Sequence, residues 1–289
     1  MFTACEENIV RRRRLGTTGP LIGEIGLGTV KLGRATGVKY PRAFTIPDDR
    51  QARALLIRAR ELGINLIDTA PAYGTSEARL GKLLSGTRDE WVICSKAGEE
   101  FEPASGKSVY CFTPGHLRMS VERSLKRLRT DRIDILLIHS DGNDREIIQR
   151  HGALETLDEL KREGKILASG MSTKTVAGGL LAAQRADCVM VTWNLTHDDD
   201  LPVIEYCHAE GKGVLIKKAL DSGHVASSNP AGARTADPVR ETFEMILPHP
   251  GVSSVIIGTI DTEHLGDNVE KANKIPISGG CEQEQGHMH

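Results

Sequence analysis

The apolar positions of this chain fall into short, nearly unbroken runs separated by longer stretches of helical period. Eight runs rich in Val and Ile stand out: Ile25–Gly28, Asn65–Asp68, Trp91–Cys94, Ile133–Ile138, Ile166–Gly170, Cys188–Thr192, Gly213–Ile216 and Ser254–Ile257. A run apolar on both alternating faces is the mark of a strand covered on both sides, as in a parallel sheet wrapped by helices. Amphipathic patterns fill the intervals: Gln51–Leu62, Glu77–Leu84, Thr113–Arg129, Ala153–Glu163, Thr175–Arg185, Leu201–Glu210, Pro238–Leu247 and Thr262–Asn273. Thr113-Pro114 reads as an N-cap followed by proline at the first helical position, and Gly164 as a C-terminal cap. Eight strand–helix units predict an α/β fold, a (β/α)8 TIM barrel, over a doubly wound open sheet. No G-x-G-x-x-G opens a helix after any of these strands, which weighs against a Rossmann sheet.

Ahead of the first strand, Arg12 to Ile22 reads as a short hairpin around a glycine-containing turn, expected to cap the bottom of the barrel. Two long irregular stretches, Leu32 to Pro47 and Leu220 to Ala236, follow strands and therefore belong to the C-terminal mouth, where barrel enzymes build their sites. With 289 residues, the chain is expected to form a single barrel domain over 1–289. The polar tail from Ser278 to His289 is expected to be disordered, with His287 and His289 inert.

Composition is that of an ordinary globular chain, 39% hydrophobic and 26% charged. A net charge of −2 provides no global basic field for nucleic acid. Arg11 to Arg14 is the only dense basic run; it reads as a solvated arm, with a localisation or anion-binding patch as the alternative. Six scattered cysteines, Cys5, Cys94, Cys111, Cys188, Cys207 and Cys281, include no C-x-x-C pair. That argues against a disulfide framework or a zinc site and for a reducing compartment. With no membrane span or secretory signal in the pattern, the expected location is cytoplasmic. Nothing in the pattern specifies an oligomeric state.

The chemistry gathers at strand ends. Asp68 closes the second run, Tyr73 follows it in Pro71-Ala72-Tyr73-Gly74, Lys96 comes two residues after the third run, and His139 directly follows the fourth. Each alone has a plain reading: a helix N-cap for Asp68, a packed loop aromatic for Tyr73, a rim lysine for Lys96, a hydrogen-bonded core histidine for His139. Four such residues at the same end of successive strands are a different matter. A phenol with a reference pKa of about 10 is brought toward the working range by an adjacent ammonium, which stabilises the phenolate. The set suggests proton transfer coupled to another step at the barrel mouth.

At these residues the chain resembles the aldo-keto reductases. The resemblance rests on Asp68-Thr69-Ala70 with Tyr73-Gly74, on Ser95-Lys96 and on Ile138-His139. It extends over Leu15–Gly19, Ile25–Thr29, Ala219–Gly223, Gly258-Thr259 and Asn268, and so covers Leu15 to about Asn273. It implies a nicotinamide-dependent oxidoreductase that interconverts small aldehydes or ketones, or sugars, with alcohols. Tyr73 would be the general acid/base, Lys96 would lower its pKa, Asp68 would pair with Lys96, and His139 would orient the substrate oxygen. For the cofactor, Gly28, Thr29 and Asp68 would lie near the nicotinamide ribose, and Ser172 and Thr173 would reach the carboxamide. Leu220 and Ser222 would meet the pyrophosphate, while Gly258, Thr259 and Asn268 would hold the adenosine half. No metal is implied.

The chain departs from the pattern in places. Thr173 stands where Asn is common, and Met190 where many relatives carry Gln. NADP-preferring relatives often place Arg or Lys between Gly258 and Asn268, whereas this chain has Asp261, Glu263 and His264, which suit NAD. Family habit points to NADP with NAD possible, Lys217 and Lys218 being candidate sources of positive charge. Substrate walls are expected from Leu32–Pro47, Glu99–Thr113 and Leu220–Ala236, with Tyr40 and Trp193 as apolar candidates or plain packing. Two other readings compete: a non-catalytic nicotinamide-binding redox sensor, and a metal-dependent barrel hydrolase, for which only His139 and Asp68 qualify as ligands.

Overall fold

The computed structural model describes residues 9–41, 43–221 and 237–276. Its strands are β1 (Arg12–Arg14), β2 (Leu21–Gly23), β3 (Ile25–Gly28), β4 (Leu66–Asp68), β5 (Val92–Ala97), β6 (Glu99–Glu102), β7 (Lys107–Tyr110), β8 (Ile133–His139), β9 (Ile166–Ser172), β10 (Cys188–Thr192), β11 (Gly213–Lys217) and β12 (Ser254–Ile257). Parallel pairing joins β3, β4, β5, β8, β9, β10, β11 and β12 in that order, and β12 returns to β3 through Val255↔Ile25 and Ile257↔Leu27 to close the barrel. Helices α1 (Asp49–Glu61), α2 (Ser76–Leu83), α3 (Pro114–Leu128), α4 (Asp144–Gln149), α5 (Ala153–Arg162), α6 (Val176–Arg185), α7 (Leu201–Ala209), α8 (Pro238–Ile246) and α9 (Thr262–Asn273) lie between them. The expected (β/α)8 barrel with its N-terminal hairpin is what forms. The expected tail, Ser222 and nearly all of the 220–236 stretch lie outside the described residues.

Alternation along each strand separates two cores. Leu66, Cys94, Ile135, Leu137, Ala168, Cys188, Met190 and Leu215 fill the barrel interior together with Leu15 and Ile22 of the hairpin. The opposite phase, including Ile67, Ile93, Leu136, Ile138, Met171, Val189 and Ile216, packs outward against the helices. A Cβ at Gly213, the first residue of β11, would stand 2.4 Å from Leu15 Cδ1. The hairpin therefore plugs the barrel at its N-terminal end, and the opposite end is left for the site.

The arginine run is part of this plug. Arg11 donates to the carbonyls of Ala272, Asn273 and Ile275 at the end of α9, and Arg13 to those of Leu247, His249 and Val252 after α8. Both flank Glu24, which is 1% exposed. A guanidinium satisfies the carbonyls that a helix C-terminus leaves unpaired and offsets the negative end of its dipole. Only Arg12 and Arg14 are exposed, so Arg11 and Arg13 form neither the solvated arm nor the anion patch considered from sequence.

Two elements were not visible in the apolar pattern. The stretch after β5 forms the antiparallel hairpin β6–β7, Glu99↔Tyr110 to Glu102↔Lys107, where a plain loop was expected. Helix α4 follows β8. Among the described residues no helix is long and apolar enough to cross a membrane.

Candidate active site

The period of two along each strand decides which side chains meet at the mouth. Continuing the interior phase upward brings Gly28 on β3, Asp68 on β4, Lys96 on β5, His139 on β8, Ser172 on β9 and Lys217 on β11 onto one inner ring. Tyr73 joins them from a 3-10 turn, Pro71–Tyr73, directly after β4. Gly74 closes that turn at φ 63°, and a Cβ on it would lie 2.2 Å from the Gly33 carbonyl. A glycine is therefore required where the turn is pressed against the loop after β3. Arg34 from the same loop donates to the Ala72 carbonyl at 3.0 Å.

Lys96, 1% exposed, is the hub. Its Nζ donates to Asp68 Oδ1, to the Thr69 carbonyl at 3.1 Å and to the Tyr73 hydroxyl at 3.0 Å. The Tyr73 hydroxyl in turn donates to Asp68 Oδ2 at 3.2 Å. Carboxylate, ammonium and phenol thus form a closed triangle in a water-poor site. Burial by itself would lower the Lys96 pKa, but Asp68, joined by Tyr73 and Cys94, offsets it and the ammonium is held above its ordinary value.

The phenol corrects the sequence-based expectation. Burial pushes the Tyr73 pKa up, Asp68 adds to this, and Lys96 offsets only part of it, so the net shift is upward. Tyr73 is a protonated acid across the neutral range, not a phenol on the verge of ionising. The Lys96 contribution is felt when negative charge appears on the phenol oxygen.

His139 stands edge-on to Tyr73, with ring centroids 6.3 Å apart, and its Nδ1 lies 2.9 Å from Glu99 Oε2. Burial keeps the imidazole below its ordinary pKa despite that carboxylate. Glu99 itself, although burial opposes its charge, is drawn down to about 2 by His139, Ser108 and Arg34.

A fold, an acid and its buried ammonium at the mouth of a closed barrel narrow the possibilities, and the family model described as "Aldo/keto reductase family" matches residues 24–244.

The chain belongs to the aldo/keto reductase family.

It is 51% identical to the crystal structure of a Pseudomonas aeruginosa protein assigned to the aldo-keto reductases, covering 94% of this chain and 98% of that one with a TM-score of 0.83. It is 29% identical to D-threo-aldose 1-dehydrogenase from a Pseudomonas species, over 75% of this chain and 73% of that protein. L-galactose dehydrogenase from Arabidopsis thaliana is 25% identical over 95% and 92% of the two chains. The protein is an oxidoreductase of the aldo-keto reductase type that works with a nicotinamide cofactor.

The residues expected at the cofactor sit as follows. Gly28 is on the inner ring. Thr29 is buried, its hydroxyl donating to the Asp68 carbonyl at 2.8 Å and accepting from Ser76 at 2.8 Å, so in the structure it braces the end of β4. Ser172 and Thr173 are 2% and 1% exposed. Lys217 Nζ donates to Ser172 Oγ at 2.9 Å and to the Thr173 carbonyl at 2.7 Å. The Thr173 hydroxyl has no protein partner among the described residues. Leu220 is partly buried against the outer core. Gly258 is exposed, and a Cβ there would stand 3.6 Å from the Tyr40 hydroxyl. Thr259 Oγ1 accepts from the Asp261 amide at 3.1 Å, and Asn268 is buried on α9.

Lys217 is one of the two lysines considered from sequence as a source of positive charge for a 2′-phosphate. Lys217 points inward to Ser172 and Thr173, and burial, with Lys218 adding to it, lowers it to about 7. Lys218 and Asp221, both non-glycine residues at positive φ (55° and 44°), shape the turn leaving β11, a costly conformation concentrated where a site is built. Trp193 faces outward against His249, ring centroids 5.6 Å apart, and so packs the outer shell instead of lining the mouth. Tyr40 packs on Phe44 and under Lys31 beside the mouth. Glu99 and Arg34 carried no signal strong enough in sequence. The one available cue was Gly98, whose φ of +106° turns the chain sharply from β5 into the hairpin and whose Cβ would meet Phe112 at 2.5 Å.

Proposed function

We propose that Tyr73, Lys96, Asp68 and His139 together carry out the reversible reduction of small aldehydes, ketones or open-chain sugars. The observation that supports this most is the Tyr73 hydroxyl held 3.0 Å from the buried Lys96 amine. The residues fit a nicotinamide cofactor: Gly28 presents no side chain to the inner ring, where a Cβ would stand 3.1 Å from Ile256 Cγ2, and Thr173 offers a buried hydroxyl with no protein partner among the described residues. Gly28, Ser172 and Thr173 would hold the nicotinamide end, and Leu220, Ser222, Gly258, Thr259 and Asn268 the remainder. When bound, the cofactor supplies the hydride.

The protein's own share is proton management. As the substrate oxygen gains negative charge, Tyr73 transfers its proton to it. The Tyr73 O–H, which points to Asp68 in the free site, needs only a rotation about its C–O bond to reach the mouth. Lys96 then stabilises the phenolate that remains, and Asp68 fixes Lys96. This is charge stabilisation built for the transition state and prepared before substrate arrives. In the alcohol-oxidising direction the same phenolate takes the hydroxyl proton. Sugar substrates are supported by D-threo-aldose 1-dehydrogenase and L-galactose dehydrogenase among the relatives.

For the cofactor, the N-terminus of α9 supports NAD. Asp261 already caps it, accepting from the amides of Glu263 at 2.8 Å and His264 at 3.0 Å, and residues 258–268 contain no Lys or Arg. A 2′-phosphate would meet two carboxylates there. Parallel fluorescence titrations with NADH and NADPH test binding and preference together, and turnover of a reactive aldehyde by the parent and Tyr73→Phe tests the acid. A Tyr73→Phe protein as fast as the parent would remove Tyr73 from the mechanism; a protein that binds cofactor yet turns nothing over would favour the redox-sensor reading.

A further inference from the structure

The Glu99–His139 pair is not explained by the four-residue arrangement. Glu99 opens β6, one residue past the Gly98 turn, and its carboxylate is enclosed, 11% exposed against 18% for the His139 side chain. Oε2 faces His139 Nδ1 at 2.9 Å, while Oε1 accepts from Ser108 across the hairpin and lies 4.0 Å from Arg34 Nη1. Arg34 stacks on Phe101 of the same hairpin, 4.0 Å from its centroid, and donates to the carbonyl of Ala72, next to Tyr73. The hairpin, the Tyr73 turn and His139 are therefore braced through one carboxylate.

That contact constrains the imidazole proton. Glu99 is ionised throughout the neutral range, and a carboxylate oxygen 2.9 Å from a bare ring nitrogen would set lone pair against lone pair. The contact is attractive only when Nδ1 bears hydrogen. Oε2 stands off the ideal N–H direction, so the attraction is more electrostatic than directional, but its preference is the same. In the neutral ring the single proton is then on Nδ1 and Nε2 is an acceptor. The other groups facing the ring are Lys96 from β5 and Lys217 from β11, both opposing a second proton, and Tyr73 from the 3-10 turn.

We infer that Glu99 is a positioning residue that fixes the proton of His139 on Nδ1, so that the neutral ring accepts a hydrogen bond from an alcohol and donates one to a carbonyl oxygen only when it is cationic. The inference rests on the proposed function for its substrate side and, for its proton side, on the 2.9 Å contact between His139 Nδ1 and an ionised Glu99. A carbonyl oxygen carries only lone pairs and gains nothing from a bare Nε2, whereas a hydroxyl does. Orientation by His139 is thereby made to depend on reaction direction and on pH. Carbonyl reduction is favoured as pH falls through the His139 ionisation, and alcohol binding is favoured above it.

The test separates the two parts. Ring-nitrogen NMR of 15N-histidine-labelled protein, with His139→Asn used to assign the signal, reads the tautomer with or without turnover. The parent is expected to show the Nδ1–H form at alkaline pH, and Glu99→Ala a shift toward the Nε2–H form. Glu99→Gln, which keeps an acceptor but removes the charge, is expected to retain the Nδ1–H form while lowering the pH at which the ring titrates. In kinetics, Glu99→Ala is expected to flatten the decline of reductive kcat/KM with rising pH and to lose about tenfold in alcohol oxidation at pH 8, the worth of one hydrogen bond. A parent His139 in the Nε2–H form overturns the inference, as does a Glu99→Gln ring that titrates at the parent's pH. If the NMR results hold and neither variant nor parent turns over any carbonyl, it is the proposed function that fails.

Discussion

Replacing Lys96 with Met asks most directly whether the buried triangle does the chemistry. The Lys96 ammonium lies 3.0 Å from the Tyr73 oxygen. Two unit charges at that distance attract by about 5–6 kcal/mol at an effective dielectric of about 20. In the ground state the phenol is neutral and little of this is felt. With roughly half a charge on the phenol oxygen at the transition state, about 3 kcal/mol is lost on removing the ammonium, or about a 10²-fold decrease in kcat. The Asp68 carboxylate, no longer neutralised and still hydrogen-bonded to the phenol, opposes phenolate formation and makes this a lower bound.

The same substitution breaks a buried ion pair. Asp68 is 4% exposed, and a carboxylate stranded there costs about 3–5 kcal/mol of stability. The double variant Lys96→Met with Asp68→Asn controls for this, because it removes both charges and keeps the volume. Single-turnover reduction of a reactive aldehyde, with cofactor affinity measured separately by fluorescence, is the appropriate assay. Both variants are expected to bind cofactor within a few-fold of the parent and to be slowed in the chemical step. A Lys96→Met protein that folds and keeps a single-turnover rate within threefold of the parent refutes the reasoning, as does a loss confined to KM.

Lys217 is lowered to about 7 in the fold against about 10.4 unfolded, so the native state resists a proton that the unfolded chain keeps; stability should rise as pH goes from about 7 toward 10, and Lys217→Met, compared with the parent by urea unfolding across that range, should lose that rise. Glu263→Arg places a cation on the first turn of α9 and should move the ratio of NADPH to NADH affinity about tenfold toward NADPH; an unchanged ratio in paired titrations would separate α9 from the 2′ position. Arg13→Ala removes three carbonyl partners and one flank of Glu24 and should cost about 2–4 kcal/mol in chemical denaturation with kcat unaltered, the signature of a bottom plug remote from the mouth.

The barrel was legible because its signal is periodic and long. Eight apolar runs of four to six residues are apolar on both alternating faces, and a parallel sheet ringed by helices accommodates them. Asp68, Lys96 and His139 were legible for a related reason: each breaks an apolar run at its C-terminal end, in phase with interior residues such as Leu66, Cys94 and Leu137. The β6–β7 hairpin escaped notice because Glu99–Glu102 and Lys107–Tyr110 lie over the mouth instead of inside the core. Their polar composition therefore matches a solvated loop. Helix α4, six residues with Asp144 buried at its start, is too short for a periodic signal.

The sign of the Tyr73 shift was illegible for a deeper reason. Sequence names the partners of a titrating group, but its pKa is a balance among burial, Asp68 and Lys96 that depends on distances of a few tenths of an ångström. The barrel makes the first two large at once. The inner ring that gathers the charges also excludes the water that would screen them, and the carboxylate needed to hold Lys96 in place necessarily faces the phenol as well. An arrangement that both fixed the lysine and freed the tyrosine proton in the resting state would require Asp68 to turn its second oxygen away. Instead that oxygen accepts the Tyr73 hydroxyl at 3.2 Å. The resting site therefore stores its proton, and the charge that draws it out must come from the substrate oxygen as hydride arrives. Proton release is tied to hydride transfer by the geometry of one carboxylate.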